Sequence, residues 1–128
     1  MPTIPEDLRY SQNHLWVRMS DDVAVIGITD FAQNELGDIM YVELSAAGSV
    51  LAAGEICGDV ESVKTTSDLV APVGGEVLEA NAALDATPGL CNKDPYGDGW
   101  MLRIKASEVP DDLMGAAAYG IFCSTGSK

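Results

Sequence analysis

The residue whose position in this sequence most clearly suggests a chemical role is a lysine at the predicted tip of a turn. Lys64 lies within "VESVKTTSDLVAP", residues 60–72, where β-rich arms flank the segment 63–66. That segment has no Gly, Asn or Pro, the residues that most readily form turns, and it places β-branched residues, which are stiff at χ1, on both sides of the lysine. A side chain that must visit other proteins needs such a rigid, exposed base. From spacing alone, the pattern favours an ordinary solvated lysine beside acidic residues, and a modified lysine that a second enzyme reads by the shape of its turn is the alternative.

Few other residues offer chemistry. His14 is the only histidine, which excludes a metal site built from several histidines. It is also the only base that a Ser-His-Asp or Cys-His arrangement could use, and the sequence shows no strained nucleophile turn to go with it. Beside Trp16, at the start of a predicted strand, His14 is expected to be structural. Cys57, Cys91 and Cys123 are far apart and odd in number, so they are predicted to be reduced thiols that act as small hydrophobes.

The composition is that of a globular and very acidic chain. Its 128 residues fit one domain, 47% of them are apolar, and no apolar run approaches the roughly 18 residues of a membrane-spanning helix. The net charge of −13 argues against nucleic acid and anionic membranes as partners and favours proteins with basic docking surfaces. The start, "MPTIPEDLRY", resembles neither a signal peptide nor a transit peptide. We therefore expect a soluble, unexported monomer, cytoplasmic if the source is bacterial and in the mitochondrial matrix only if a presequence has been removed.

The elements that must position Lys64 are predicted to be short strands. Alternating or β-branched residues predict strands at 15–19, 23–28 and 39–44. Further short strands separated by glycines follow, and "WMLRIK" (100–105) is expected to close the β part. Residues 87–99 are rich in Pro, Gly and Asn and are expected to form a long loop.

Two helical regions are predicted outside the strands. "TDFAQNELGD" predicts a two-turn helix near 30–36, with a cap at Thr29 or Asp30 and an end at Gly37. From Ser107 onward a cap, early acidic residues and a run of alanines predict one or two C-terminal helices over about 107–122.

The segments on either side of Lys64 have a similar order of features. Each contains a glycine, a strand, a second glycine and a second strand. This repetition predicts a sandwich or flattened barrel of two similar halves. The turn connects the two halves, so Lys64 is expected at a corner of the domain, far from the core.

Several motifs resemble one known family. "DVESVKTTSDLVAPVGGEVLEAN" resembles the attachment segment of the glycine cleavage system H proteins, in which E-S-V-K carries lipoic acid in amide linkage. "IGITDFAQNELGDI", "YVEL", "NKDPYGDGW" and "MLRIK" resemble further motifs of that family in the same order, and the likeness runs from about Leu8 to Tyr119. The resemblance implies a mainly β fold, the lipoyl/biotinyl-type flattened β-barrel or hybrid sandwich, with a short helix near 30–36 and C-terminal helices. Residues 1–128 then form a single lipoyl-carrier domain with a lipoyl-binding core of about 22–105.

The resemblance also implies a modification site. Lys64 matches the lysine that carries the covalent N6-lipoyl group. Glu61, Ser62 and Val63 match the residues before that lysine and Asp68 matches the acid after it, so these four are expected to be recognised in the turn. The enzyme that attaches the group is expected to be a lipoate ligase or a lipoyl/octanoyl transferase. Biotin carriers usually have Met-Lys-Met at the turn, which this sequence lacks, so biotin is disfavoured.

The function implied by the resemblance is that of a non-catalytic carrier. It would take an aminomethyl group from glycine decarboxylase, the P protein, to aminomethyltransferase, the T protein, and dihydrolipoyl dehydrogenase, the L protein, would reoxidise it. A tethered group is presented to each active site at high local concentration instead of diffusing away.

One position departs from the family pattern. The chain has His14-Leu15-Trp16 where the family usually has His-Glu-Trp, and in the family that Glu lies by a cleft in which the loaded arm rests. Leu15 accepts no hydrogen bond, so either Asp68 suffices or storage of the loaded arm is impaired. The second possibility leaves open an H-like lipoyl relay donor or redox module that serves other lipoate-dependent proteins. A third hypothesis is a plain interaction domain in which Lys64 is unmodified.

Overall fold

The computed structural model of the protein describes residues 3–124, which form nine β-strands and four α-helices. The strands are β1 (Arg9–Tyr10), β2 (Leu15–Ser20), β3 (Val23–Ile28), β4 (Ile39–Leu44), β5 (Val50–Leu51), β6 (Ile56–Ser62), β7 (Thr66–Val70), β8 (Gly74–Ala80) and β9 (Leu102–Glu108). The helices are α1 (Asp30–Leu36), α2 (Ala83–Ala86), α3 (Leu90–Lys93) and α4 (Ala116–Ser124). No helix within this part of the chain is long and apolar enough to cross a membrane.

The strands form two antiparallel sheets, as the predicted mainly β fold requires. The larger sheet has the order β1-β2-β3-β9-β8-β5, and the smaller has the order β4-β6-β7. The hairpin of β6 and β7 pairs Glu61 with Thr66 at its tip and Ile56 with Val70 at its base. The smaller sheet therefore carries Lys64 at one end of the domain, on the turn that leaves β6.

The main core lies between the two sheets. Alternate residues of the strands point inward, so Val42 and Val60 of the smaller sheet lie in the same buried cluster as Ile26, Val77 and Ile104 of the larger one. Full burial of side chains of this kind stabilises a domain by roughly 1.5–3 kcal/mol each. The cluster also includes Leu15 and Val17 of β2.

A second, aromatic cluster attaches the C-terminal helix. The rings of Tyr10 and Tyr119 are stacked with centroids 4.6 Å apart and an interplanar angle of 7°. Trp16 is fully buried beside them, and its indole Nε1 donates to the Pro95 carbonyl at 2.8 Å. This cluster fixes α4 against β1 and β2, next to the residues that precede Leu15.

Several elements lie where the sequence predicts them. The strands at 23–28 and 39–44 and the helix at 30–36 have the expected bounds. Thr29 is the residue before α1, and its hydroxyl accepts a hydrogen bond from the Ala32 amide at 3.1 Å. Gly37 ends the helix with φ +79°, a left-handed conformation that glycine adopts without a steric penalty.

Two segments differ from the prediction. Residues 87–99 are not a continuous loop, because α3 forms within them; a single helical turn is too short to show a periodic pattern. The helical segment expected over about 107–122 begins only at Ala116, and the closing strand runs from Leu102 to Glu108 rather than over 100–105. The strand continues past Ser107 because Glu108 still pairs with Gly74 of β8.

Glycine allows close contact between β4 and β6. A Cβ atom on Gly58 would lie 2.3 Å from the Glu43 carbonyl oxygen, a separation that no side chain tolerates. On the other side of β6, its register against β7 shifts at this point, between Ile56 and Gly58. Gly58 thus keeps the two strands paired along the edge that leads to Lys64.

The cysteines act as apolar residues, as predicted. Cys57 and Cys91 are free thiols in the main core. Burial raises the pKa of Cys57 to about 11 and that of Cys91 to about 12, because the thiolate is poorly solvated there. Cys123 is a free thiol packed against the aromatic cluster, and burial raises its pKa as well.

Candidate functional site

The turn that carries Lys64 is closed by the side chain of Ser62. The Ser62 hydroxyl oxygen accepts hydrogen bonds from the backbone amides of Lys64 and Thr65, each at 3.2 Å, and it donates to the Thr65 carbonyl at 3.1 Å. The Ser62 amide donates to the same carbonyl at 2.8 Å. A serine that bonds the backbone two and three residues ahead replaces the backbone freedom that glycine supplies in other turns. The sequence indicated rigidity from β-branched residues, and the structure adds this buried hydroxyl as the closing contact.

The turn also rests on the end of α1. The Val63 amide donates to the Asp38 carbonyl at 3.0 Å, which ties the turn to the connection between α1 and β4. The Lys64 ammonium nitrogen donates to the Glu35 carbonyl at 3.4 Å. Carbonyl groups in the last turn of a helix carry partial negative charge and attract a cation.

Gly37 lies next to the lysine turn. A Cβ atom on Gly37 would lie 3.4 Å from Lys64 Cε and 3.5 Å from Val63 Cγ2, which is ordinary van der Waals contact. A side chain at position 37 would, however, strain the backbone at φ +79°. Glycine is thus favoured here by the backbone conformation at the end of α1 and not by crowding against the turn.

A cleft of about 260 Å³ opens beside the hairpin, between α1 and strand β7. Most of the residues that line the cleft are apolar, and polar residues lie among them both on α1 and on β7. The apolar lining residues are Leu15, Ile28, Phe31, Ala32, Leu36, Val60 and Leu69, and the polar ones are Asn13, His14, Glu35, Ser67 and Asp68. Because Glu35 belongs to this wall and its carbonyl accepts from Lys64, the cleft is continuous with the lysine turn. Such a cleft suits an apolar chain attached to the lysine.

Leu15 forms part of the cleft wall and is almost fully buried, with 1% of its surface exposed. Asp68 lies in the same wall. The departure noted in the sequence therefore falls on the cleft itself, where an apolar side chain replaces a carboxylate.

His14 connects the cleft to the C-terminal helix. Its Nδ1 lies 2.7 Å from the Tyr119 hydroxyl, which also lies 2.7 Å from the Thr29 hydroxyl. Burial raises the pKa of Tyr119 far above the ordinary value for tyrosine, so this hydroxyl remains protonated over the physiological range. The His14 ring also packs against Phe31 at a centroid distance of 4.9 Å. His14 therefore has the structural role expected from the sequence, at the edge of the cleft.

The predicted recognition residues occupy two faces of the hairpin. Ser62 is buried inside the turn, whereas Glu61 and Val63 are exposed beside Lys64. Glu61 lies on the outer face of the smaller sheet, opposite Tyr41 and Thr66.

Asp68 lies two residues further along β7, opposite Asp59, which in turn lies opposite Glu43 on β4. Three carboxylates thus cross the outer face of the smaller sheet in one row. Like charges directly opposite each other destabilise a sheet, so this row favours a basic partner.

The sequence did not predict the residues that support the turn from outside. Glu35 and Asp38 act through backbone carbonyls, which every residue has and which leave no trace in residue type. Asn92 contacts the same region from α3. In this region the sequence indicates only a helix end, at the glycine of "NELGD".

A β-hairpin that holds a lysine at its tip, on a two-sheet β-domain beside an apolar cleft, defines a lipoyl-type carrier domain. Comparison with known proteins shows which family of carrier domains this chain belongs to. The family model of the glycine cleavage H-protein matches residues 8–125, and this chain belongs to that family.

Individual relatives agree with this assignment. The glycine cleavage system H protein of Rubrobacter xylanophilus is 53% identical over 113 residues, which cover 88% of this chain and 90% of that protein. The H protein of Symbiobacterium thermophilum is 46% identical over 128 residues, which cover 98% of this chain and 100% of that protein. A crystal structure of the H protein from Mycobacterium marinum matches with a TM-score of 0.91 at 37% identity, over 94% of this chain and 99% of that one.

Proposed function

We propose that this chain is a lipoyl carrier of the glycine cleavage system and that Lys64 is the residue to which lipoate is attached. The family carries lipoate covalently on a lysine. Of the lysines within residues 3–124, Lys93 lies in the last turn of α3 and Lys105 within strand β9, whereas Lys64 lies at a hairpin tip. The observation that carries the proposal is the position of Lys64, on a rigid turn at the mouth of an apolar cleft.

The residues around Lys64 fit an attached lipoyl group. Lys64 is exposed, so its amine is accessible for acylation, and the amide that results has no charge to be held by the Glu35 carbonyl. The apolar wall of the cleft offers a place where the aliphatic part of the arm is shielded from water. When bound, the lipoyl group supplies the dithiolane that accepts the aminomethyl group.

The role in glycine breakdown follows from the family. The carrier moves the aminomethyl group from glycine decarboxylase to aminomethyltransferase, and dihydrolipoyl dehydrogenase restores the oxidised arm. The domain has no catalytic residues of its own in this proposal; its contribution is to hold the arm at high local concentration for each enzyme. The similar proteins favour this role over a lipoyl relay donor or a redox module for other proteins.

A lipoate ligase or a lipoyl/octanoyl transferase recognises the turn through Glu61, Ser62, Val63 and Asp68. Residues 1–128 form one carrier domain, which acts as a monomer because its charge of −13 opposes self-association. The location is the cytoplasm, in line with the bacterial relatives.

Peptide mass spectrometry tests the attachment site. The protein is co-expressed with a lipoate ligase, digested and searched for the lipoyl adduct on each lysine. The adduct is expected on Lys64 alone, and Lys64→Arg should fold normally and remain unmodified. An adduct on Lys93 or Lys105, or none at all, would contradict the proposal.

A further inference from the structure

The side chain of Asn92 makes three hydrogen bonds to the region that supports the lysine turn. Its Oδ1 accepts from the Ile39 amide at 2.8 Å. Its Nδ2 donates to the Gly37 carbonyl at 2.8 Å and to Gln33 Oε1 at 3.0 Å. Asn92 is separated from Gly37 by 55 positions in sequence, so this contact exists only in the folded chain.

Two of these bonds bracket Asp38. The Gly37 carbonyl precedes Asp38 and the Ile39 amide follows it, so one carboxamide group holds the backbone on both sides. The Asp38 carbonyl then accepts the Val63 amide of the lysine turn at 3.0 Å. A carboxamide is suited to this task because it offers a donor and an acceptor in a fixed plane.

We propose that Asn92 is a positioning residue for the modification of Lys64. It fixes the connection between α1 and β4 against which the turn docks, so the attaching enzyme meets Lys64 in one orientation. This rests on the proposed lipoylation of Lys64, and it assigns to the "NKDPYGDGW" motif a role at a site that is remote in sequence.

The exchange rates of backbone amides report on this docking directly. In unmodified Asn92→Ala protein, the Val63 amide should exchange about tenfold faster than in wild type, which corresponds to the loss of about one hydrogen bond. The Met101 amide, which donates to the Ile26 carbonyl in the main core at 2.8 Å, is the internal reference and should change far less. A Val63 amide that is unchanged, or that moves in step with Met101, would overturn the proposal.

Lipoylation kinetics supply the functional readout. For Asn92→Ala the KM of a lipoate ligase for the carrier should rise about tenfold with kcat nearly unchanged, because the turn is presented in several orientations while its amine is intact. Lys93→Ala, an exposed neighbour on α3, and Gln33→Ala are matched controls and should retain the wild-type KM. Of the three Asn92 bonds, Gln33→Ala removes only the one that does not flank Asp38, together with the bonds that Gln33 itself donates to Asp30 and Asn34. Wild-type KM for Asn92→Ala would overturn the proposal.

A second variant covers the case in which Asn92→Ala does not fold. Asn92→Asp preserves the size of the side chain and the acceptor for the Ile39 amide, but it replaces the donor toward Gly37 with an oxygen. This variant should therefore also show faster exchange of the Val63 amide and a higher KM for lipoylation. If wild-type Lys64 is not lipoylated at all, the proposed function fails on that result alone, and unchanged Val63 exchange separately refutes the docking role of Asn92.

Discussion

The Ser62 hydroxyl oxygen lies 3.2 Å from the backbone nitrogen of Lys64, the residue that the turn presents. The same oxygen accepts from the Thr65 amide and donates to the Thr65 carbonyl. One side chain thus satisfies the backbone groups at the tip of a turn that contains no glycine. The shape that an attaching enzyme reads depends on this hydroxyl.

Replacing Ser62 should therefore affect both stability and modification. Ser62→Ala leaves two backbone amides without their partner in a site where Ser62 is 9% exposed, and we expect a loss of about 1–2 kcal/mol in the free energy of unfolding. Lipoylation should slow because the turn loses its fixed shape. Ser62→Thr, which keeps the hydroxyl, is the matched control. Urea unfolding and a lipoylation time course measure the two effects, and equal behaviour of Ser62→Ala and wild type would show that the hydroxyl is dispensable.

Glu61 should matter for modification and not for folding. It is exposed on the outer face of the hairpin, where a solvated charge contributes little to stability. Glu61→Ala should slow lipoylation while the melting temperature stays almost unchanged. Glu76→Ala, an exposed acid on the other sheet, should alter neither quantity. A large fall in melting temperature with normal lipoylation would reverse this assignment.

Docking to the partner enzymes should weaken as salt is added. The net charge of −13 and the row formed by Glu43, Asp59 and Asp68 favour basic partner surfaces, and such attraction is screened beyond roughly 8 Å at physiological ionic strength. The apparent KM for this protein in the decarboxylase reaction should therefore rise with NaCl concentration. A KM that stays flat up to high salt would mean that docking is apolar.

Two double variants separate the effect of the acidic row on docking from the effect of the net charge. The double variant Glu43→Gln with Asp59→Asn should raise KM at low salt and make its salt dependence shallower. The pair Asp21→Asn and Glu76→Gln removes the same charge from the turn after β2 and from β8, and should have a smaller effect. Equal effects of the two pairs would assign the steering to net charge alone.

Leu15→Glu should destabilise the fold in a pH-dependent way. Leu15 is 1% exposed among apolar residues, so a carboxylate there is poorly solvated and its pKa should be raised in the folded state. The variant is then least affected at pH values where the acid is protonated, and its stability falls as pH rises through that raised pKa. We expect a loss of about 2–4 kcal/mol at neutral pH. Thermal melts at acidic and neutral pH check this against Leu15→Gln, which should lack the pH dependence; a Leu15→Glu melt that does not change with pH would place the carboxylate in solvent.

Stability should fall at alkaline pH because of the buried thiols. Burial raises the pKa of Cys57 to about 11 and of Cys91 to about 12, so the folded state favours the neutral thiols. Their contribution is complete below the unfolded pKa near 9 and is lost as pH rises toward the folded values, at about 1.4 kcal/mol per pH unit for each group. Between pH 9 and 11 the free energy of unfolding should fall less steeply in Cys57→Ala and Cys91→Ala than in wild type. Identical slopes in all three proteins would assign alkaline unfolding to other groups.

The sequence by itself determined the local features of this protein. The bounds of the strands at 23–28 and 39–44, the helix that begins after Thr29, and the turn around Lys64 all depend on residues that lie within a few positions of each other. Side-chain period, capping and turn chemistry act over that range, so they can be read from residue types.

Tertiary structure decided what surrounds Lys64. The Asp38 carbonyl, the Asn92 carboxamide and the cleft wall come from segments that are far apart in sequence, with 55 positions between Gly37 and Asn92 alone. They meet only when the two sheets close on their shared core. Backbone carbonyls carry no signature of residue type, and Leu15 or Tyr119 alone indicates only burial. The extension of β9 to Glu108 has the same origin, because its pairing with Gly74 outweighs a local sequence that favours a helix. The physical reason is that these contacts depend on which backbone groups the closed fold brings within hydrogen-bond distance, and no local pattern encodes that.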